Sequence, residues 1–244
     1  MNTDLVLNSL VDMVVADNKR KPICIILNGP PGVGKDTLAN HLCERISSFN
    51  RMEFKEPLIK LALQLSGVSR KLWDAHYTQE FKNTPWDRLL ERGVPVSPRR
   101  YLQFISEDVM KPTFGKDIFG IAALKTIKDH NLRHVVFSDG GFDEEIAVLD
   151  NHYQRDECIV IRLHRSGFDF SNDTRKHVYD CNYAIDINVR DWDIPRTLND
   201  ILLGVADWRC VVSSDSDLPV SGENKRLIRE AYQMLVDSTP PLDL

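Results

Sequence analysis

The chain has 244 residues, 42% of them hydrophobic and 27% charged, with a formal net charge of −5 at neutral pH. This composition excludes a disordered chain, and the length suits one large α/β domain, or one domain with an insertion, whose core needs no covalent staples. The acidic balance argues against bulk electrostatic binding of a nucleic-acid polymer but leaves room for a local basic pocket that takes a small anion.

In chain order, Leu5 to Val15 has apolar residues at 5, 6, 7, 10, 11, 13, 14 and 15 and reads as a short helix within an N-terminal segment, 1–21. With Asp4 and Asp12 and no basic start, it does not read as a secretory signal. Ile23 to Leu27 is a continuous apolar run between Pro22 and Gly29, the pattern of a strand buried on both faces of a parallel sheet. Thr37 to Ile46 follows with helical spacing, Leu38, Leu42 and Ile46 on one face, and Arg51 to Phe54 reads as a short second strand. From Pro57 to about Lys128 the pattern is helical, broken at Gly67, Pro85, Gly93-Val94-Pro95 and Pro112, with no convincing strand. It reads as a helical insertion between sheet strands. Strands are then expected at Val135–Phe137, Cys158–Leu163 and Tyr183–Ile187, with helices at 144–153 and 192–203. Val212 to Glu223 reads as weakly ordered, and Asn224 to Val236 as an amphipathic helix that docks on its own domain or on a second subunit. Alternating strands and helices give an α/β fold with a parallel sheet covered on both faces.

The five cysteines, at 24, 43, 158, 181 and 210, form no CxxC pair, so a disulfide framework or zinc ribbon is not expected and reduced thiols in a cytoplasm are the plain reading. No apolar run approaches a membrane span. His130 and His134 lie four apart, but no HExxH pattern accompanies them.

The most informative stretch is Gly29-Pro-Pro-Gly32-Val33-Gly34-Lys35-Asp36-Thr37. Gly29, Gly34 and Lys35 satisfy GxxxxGK, with a strand before and a helix after, as the motif requires. Glycines let successive amides, including those of Gly32, Val33 and Gly34, turn inward on an anion. The helix adds its positive end, Lys35 a mobile charge for the β- and γ-phosphates, and Thr37 a hydroxyl for Mg²⁺ or a phosphate oxygen. Asp36 stands at the usual Ser/Thr position, and it either orients a metal-bound water or simply favours the helix start.

This loop looks like that of adenylate-kinase-type nucleoside monophosphate kinases, and its GKDT variant resembles the phage-type deoxynucleoside monophosphate kinases. Further stretches agree in the same order over residues 22 to 187. Phe54-Lys-Glu-Pro-Leu-Ile-Lys60 resembles their FADPLK segment and Lys82-Asn-Thr-Pro85 their KETP. Ser97-Pro-Arg-Arg-Tyr-Leu-Gln103 resembles TPRELLQ, and residues 104–111 resemble LLGTEVGR. Val135 to Phe142 resembles VVISDVRF, and Arg162-Leu-His-Arg165 resembles RIVR. Three positions depart: Gly141 and Lys111 stand where the family has arginine, and Ser171 to Arg175 replaces the lid's His-Pro-Ser-Glu.

The resemblance implies a P-loop three-layer fold of about five parallel strands over residues 22–210. An acceptor-binding insertion would lie at about 57–130 and a lid at about 164–181, with residues 211–244 following as a loop and helix. It implies transfer of the γ-phosphoryl of ATP, with Mg²⁺, to a deoxynucleoside monophosphate, giving the diphosphate for DNA precursor synthesis in the cytoplasm of an infected bacterium. Lys35, Arg165 and Asp36 are then the catalytic candidates. Asp139, at a strand's carboxyl end where doubly wound sheets bind ligands, would hold magnesium with Thr37, or else is a turn former. On the acceptor side, Arg99 and Gln103 lie four apart on one helix face, the first for the monophosphate and the second for a base edge, with Lys60 a further cation. Arg162, Arg165 and Arg175 would close over the phosphates, or are loop arginines and nothing more. The aromatics between Trp73 and Phe119 either sandwich a base or pack the insertion. Two rival readings remain: another small-metabolite kinase on the same scaffold, of dephospho-CoA or phosphomevalonate type, and a non-catalytic nucleotide-binding adaptor.

Overall fold

A computed structural model describes residues 21–78, 80–171, 173, 175–190 and 193–214. The helices expected at residues 5–15 and 224–236, and the stretch from 215 to 223, lie outside them.

Five strands, β1 (Ile23–Asn28), β2 (Asn50–Met52), β5 (His134–Gly140), β6 (Cys158–His164) and β7 (Ala184–Asn188), form a parallel sheet in the order β2-β5-β1-β6-β7. The alternation of side chains along each strand divides the apolar runs between two layers. Ile23, Ile25, Leu27, Ile159 and Ile161 face one side, packed by α1 (Lys35–Arg45) and α8 (Ile194–Ser214). Cys24, Ile26, Val135, Phe137 and Val160 face the other, packed by α6 (Ile118–Asp129) and α7 (Asp143–His152). Both faces of the central strand are therefore dry, which is why Ile23–Leu27 is apolar without a break. Helix α8 runs past the expected end at Leu203. Gly204 is a close-approach residue there, since a Cβ at that position would sit 2.6 Å from Ile185 Cδ1 on β7.

The connection from β2 to β5 holds α2 (Glu56–Ser66), α3 (Arg70–His76), α4 (Pro98–Gln103), a π-helical turn at Phe104–Met110, and α5 (Lys111–Phe114) before α6. The expectation that this region holds no strand is corrected: β3 (Trp86–Glu91) and β4 (Val94–Val96) form an antiparallel ribbon. Its turn residues Arg92 and Gly93 both have positive φ, 50° and 84°, the geometry that matches strand twist in a two-residue hairpin. Pro95 is tolerated because a two-stranded ribbon is all edge. Pro112 does not end the helical path either, since the π-helical turn carries the chain through to Phe114.

This segment has its own core, in which Leu58, Ile59 and Ala62 of α2 meet Trp73, Leu89, Tyr101, Ile105 and Phe119. Most of the aromatics in the region are thus packing residues. Among the described residues no helix is long and apolar enough to cross a membrane.

Candidate functional site

The carboxyl ends of β1, β5 and β6 and the start of α1 converge on one edge of the sheet. Asn28, fully buried at the end of β1, ties that edge together. Its Nδ2 donates to the carbonyls of Gly140 and Lys176, and its Oδ1 accepts from the Val178 amide, each at 3.1 Å. One side chain thereby fixes the β5 terminus and residues 176–178 against the loop that begins at Gly29.

In that loop Gly32 and Gly34 have φ of 80° and 106°, values that disfavour any side chain. Gly32 also lies under Phe168, whose ring would stand 2.8 Å from a Cβ there. The Val33 side chain is buried in the core, so only its backbone faces the loop. Lys35 is 8% exposed, and its Nζ donates to the carbonyls of Gly29 at 2.6 Å and Pro30 at 2.8 Å. Burial, and then the nearby charge of Arg175, pull its pKa down from 10.5 to about 8. The charge is expensive to hold here and is well placed to be compensated by an anion. Thr37 is exposed on the first turn of α1.

Asp36 is exposed and makes no helix-capping bond, since Gly34 occupies the cap. Its Oδ1 accepts from Arg51 Nη2 at 2.5 Å and from Ser138 Oγ at 2.9 Å. Arg51 reaches Glu53 Oε1 at 2.6 Å as well, so Arg51 on β2, Glu53 just after it and Asp36 in the first turn of α1 form one ion network. Asp139 extends from the end of β5 and accepts the backbone amides of Phe54 at 2.8 Å and Lys55 at 3.1 Å. Burial raises its pKa, and the charge of Lys55 opposes the rise.

A second set of cations gathers around Asp173 and Lys82. Arg175 donates through Nε and Nη2 to the two oxygens of Asp173, at 2.8 and 2.6 Å. Arg99 lies 4.0 Å from the same carboxylate, whose side chain is only 4% exposed. Burial pushes Asp173 up, but the bonds and charge of Arg175 outweigh it and hold the carboxyl at about 2. The charges of Arg99 and Arg175 both act on Lys82 and on Tyr77. Lys55 is desolvated yet kept above its ordinary pKa by Asp139 and Glu53. Arg175 therefore stands electrostatically between the loop lysine and the insertion.

The remaining expected site residues divide. Arg165 donates from Nη1 to the Gly32 carbonyl at 3.5 Å and lies 4.6 Å from the Phe168 ring centre. It lines a cleft of about 450 Å³ with Pro30, His164, Phe168, His177 and Asn188, directly beside the loop. Arg162 is drawn away, to both oxygens of Asp186 on β7 at 2.9 and 2.6 Å. Lys60 and Gln103 are exposed on α2 and α4. Tyr77 belongs to the aromatic cluster of the insertion, whereas Lys55, Lys82 and Asp173 are not singled out by residue type and spacing. Lys55 and Lys82 sat inside stretches whose family likeness was noted, but Asp173 had only its position two residues before Arg175 to mark it.

For a divalent cation, no group of three or more His, Cys, Asp or Glu is gathered among the described residues. The available donors are hard oxygens: Thr37, Asp139 and Asp36. That set fits Mg²⁺, which takes one or two protein oxygens and completes its octahedron with phosphates and water.

No family model matches the chain. The chain is 40% identical over 68 residues to the ATP-dependent kinase YFH7 of the yeast Vanderwaltozyma polyspora, a match that spans 28% of this chain and 18% of the yeast protein. The parallel α/β sheet, the glycine-rich loop at the end of its central strand and this partial likeness to an ATP-dependent kinase are consistent with a P-loop kinase.

Proposed function

We propose that this protein is an ATP-dependent kinase that transfers the γ-phosphoryl group to a small acceptor, and that the acceptor is a deoxynucleoside 5′-monophosphate. The observation that carries the reading is that two sets of cations lie within electrostatic reach of each other. One is Lys35, the first residue of α1 where the loop after β1 ends. The other is the set Lys55, Lys82, Arg99 and Arg175, contributed by the insertion and by the segment after β6. A nucleotide-binding adaptor needs only the first group.

Phosphoryl transfer asks the protein chiefly to hold two phosphates in line and to place positive charge where negative charge develops. In this reading the loop amides and Lys35 hold the β- and γ-phosphates, and the base of ATP occupies the cleft between Arg165, Phe168 and His177. Arg99 and Lys82 hold the acceptor's phosphate. Arg175 spans the two groups, where it can follow the transferred charge. Thr37 and Asp139 would hold Mg²⁺, which would supply positive charge against the β- and γ-phosphates. Tyr77 and Trp86, at the border of the insertion core, each stack on one face, against Trp73 and His76, and their other faces would receive an acceptor base. The choice of a deoxynucleotide rests on the ordered sequence resemblance from the loop to residue 187.

The test is steady-state ADP release with Mg²⁺·ATP against a panel of deoxynucleoside monophosphates, ribonucleoside monophosphates, dephospho-coenzyme A and phosphomevalonate. Turnover that depends on a deoxynucleotide is expected. Turnover with only a non-nucleotide acceptor would reassign the substrate, and tight ATP binding without turnover would remove the catalytic reading.

A further inference from the structure

Arg175 reaches the phosphate site by an unusual path. Its stem crosses the turn between β5, which ends at Gly140, and α7, which starts at Asp143. A Cβ placed on Gly141 would lie 2.4 Å from Arg175 Cδ, 3.0 Å from Cγ and 3.4 Å from Cβ. Gly141 is not among the residues with positive φ, so its backbone makes no demand for glycine. The three nearest atoms a side chain there would meet all belong to Arg175. These are not the tip of a flexible side chain that can swing aside. They run from the Cβ root to Cδ, so displacing them displaces the guanidinium.

The guanidinium is also committed. It holds Asp173 through two bonds, and its charge acts on Lys35 and Tyr77. We propose that Gly141 is the positioning residue for Arg175: a bare Cα at the β5–α7 turn is what lets the Arg175 stem cross there and deliver its guanidinium to the phosphate site. The proposal depends on the kinase reading only where turnover is measured. Anion binding tests it separately.

The experiment is a double-substitution cycle on the full chain, with inorganic tripolyphosphate as the probe in titration calorimetry and melting temperature read alongside. Gly141→Ala and Arg175→Ala are each expected to weaken tripolyphosphate about tenfold, the worth of one charge-assisted contact. The double variant is expected to bind no more than about twofold more weakly than Arg175→Ala alone, because the Cδ and Cγ atoms that crowd the methyl group are then gone and the remaining Cβ, at 3.4 Å, is an ordinary contact. If Gly141→Ala prevents folding, Arg175→Ala in the same chain is expected to restore it. Three results overturn the proposal: an effect below twofold for Gly141→Ala, losses that multiply in the double variant, or a folding defect that persists without Arg175. A wild-type chain that ignores tripolyphosphate overturns both this proposal and the kinase reading. A chain that shows the coupled pattern but releases no ADP with any acceptor keeps the positioning role and loses the kinase.

Discussion

Raising the pH should release a polyphosphate from this protein through the titration of Lys35. Burial and the charge of Arg175 bring its pKa down to about 8. The protonated amine is the form that binds phosphate, so affinity is full below that value and is lost as pH rises through it. ADP is a suitable ligand, because phosphate ionises near pH 6 and its charge is constant from pH 7.5 upward. Over pH 7.5 to 9.5 the protonated fraction falls from roughly three quarters to a few per cent, so affinity should fall about twentyfold. That is within the roughly ten- to hundredfold range of a charge-assisted hydrogen bond. Lys82 is also held low, by burial and by Arg99, so the comparison is best made with Lys82→Arg present in every protein. Lys35→Met should bind weakly with a flat profile, and Lys35→Arg should be flat because guanidinium keeps its proton. A flat profile with Lys35 intact, or an unchanged slope in Lys35→Met, would refute the assignment. The same burial has a stability sign. Folding confines a charged amine below pH 8, and the penalty eases as pH rises from there toward 10.5. Lys35→Met should therefore melt higher than wild type at pH 7.

Three further outcomes are expected. Arg165→Ala, which removes the guanidinium beside Gly32 and Phe168, should lower kcat by tenfold or more, and a loss below about threefold retires it as a catalytic group. Asp36→Asn should raise the half-saturating Mg²⁺ concentration at least threefold; an unchanged magnesium titration would leave the aspartate as only the partner of Arg51 and Ser138. Glu145 is 5% exposed on α7, and burial, then the charge of Asp139, raises its pKa from 4.5 to about 8. The folded state keeps that proton where the unfolded chain has lost it, so wild type should lose stability as pH rises from about 4.5 to 8. Glu145→Gln should remove that slope in a melting series, and parallel curves for the two proteins would count against it.

The sheet was legible because its strands are dry on both faces and therefore apolar without interruption, as at Ile23–Leu27 and Cys158–Leu163. The loop was legible because turning amides toward an anion requires glycine at fixed positions. The β3–β4 ribbon was not, because Trp86-Asp-Arg-Leu-Leu-Glu91 buries only Leu89 completely and its turn is Arg-Gly rather than Asn-Gly. Lys35 starts α1, Asp139 lies at the end of β5 and Arg165 directly follows β6, positions that the order of strand and helix patterns alone makes readable. Arg162 was indistinguishable by residue type from Arg165, yet Asp186 draws it to the neighbouring strand. Gly141 looked like a missing arginine, and only the fold reveals the side chain of Arg175 crossing above it. Contacts between residues far apart in sequence, such as Gly141 with Arg175 or Asn28 with Val178, leave no periodic trace in a single sequence.

The most direct measurement follows the label. Incubated with Mg²⁺ and ATP carrying a radioactive γ-phosphate, the protein should move that label onto a deoxynucleoside monophosphate, producing labelled diphosphate in equal amount to ADP, and Lys35→Met should abolish the transfer. Label that stays in ATP with every deoxynucleotide, or that appears only as inorganic phosphate, would contradict a site built to join two nucleotides.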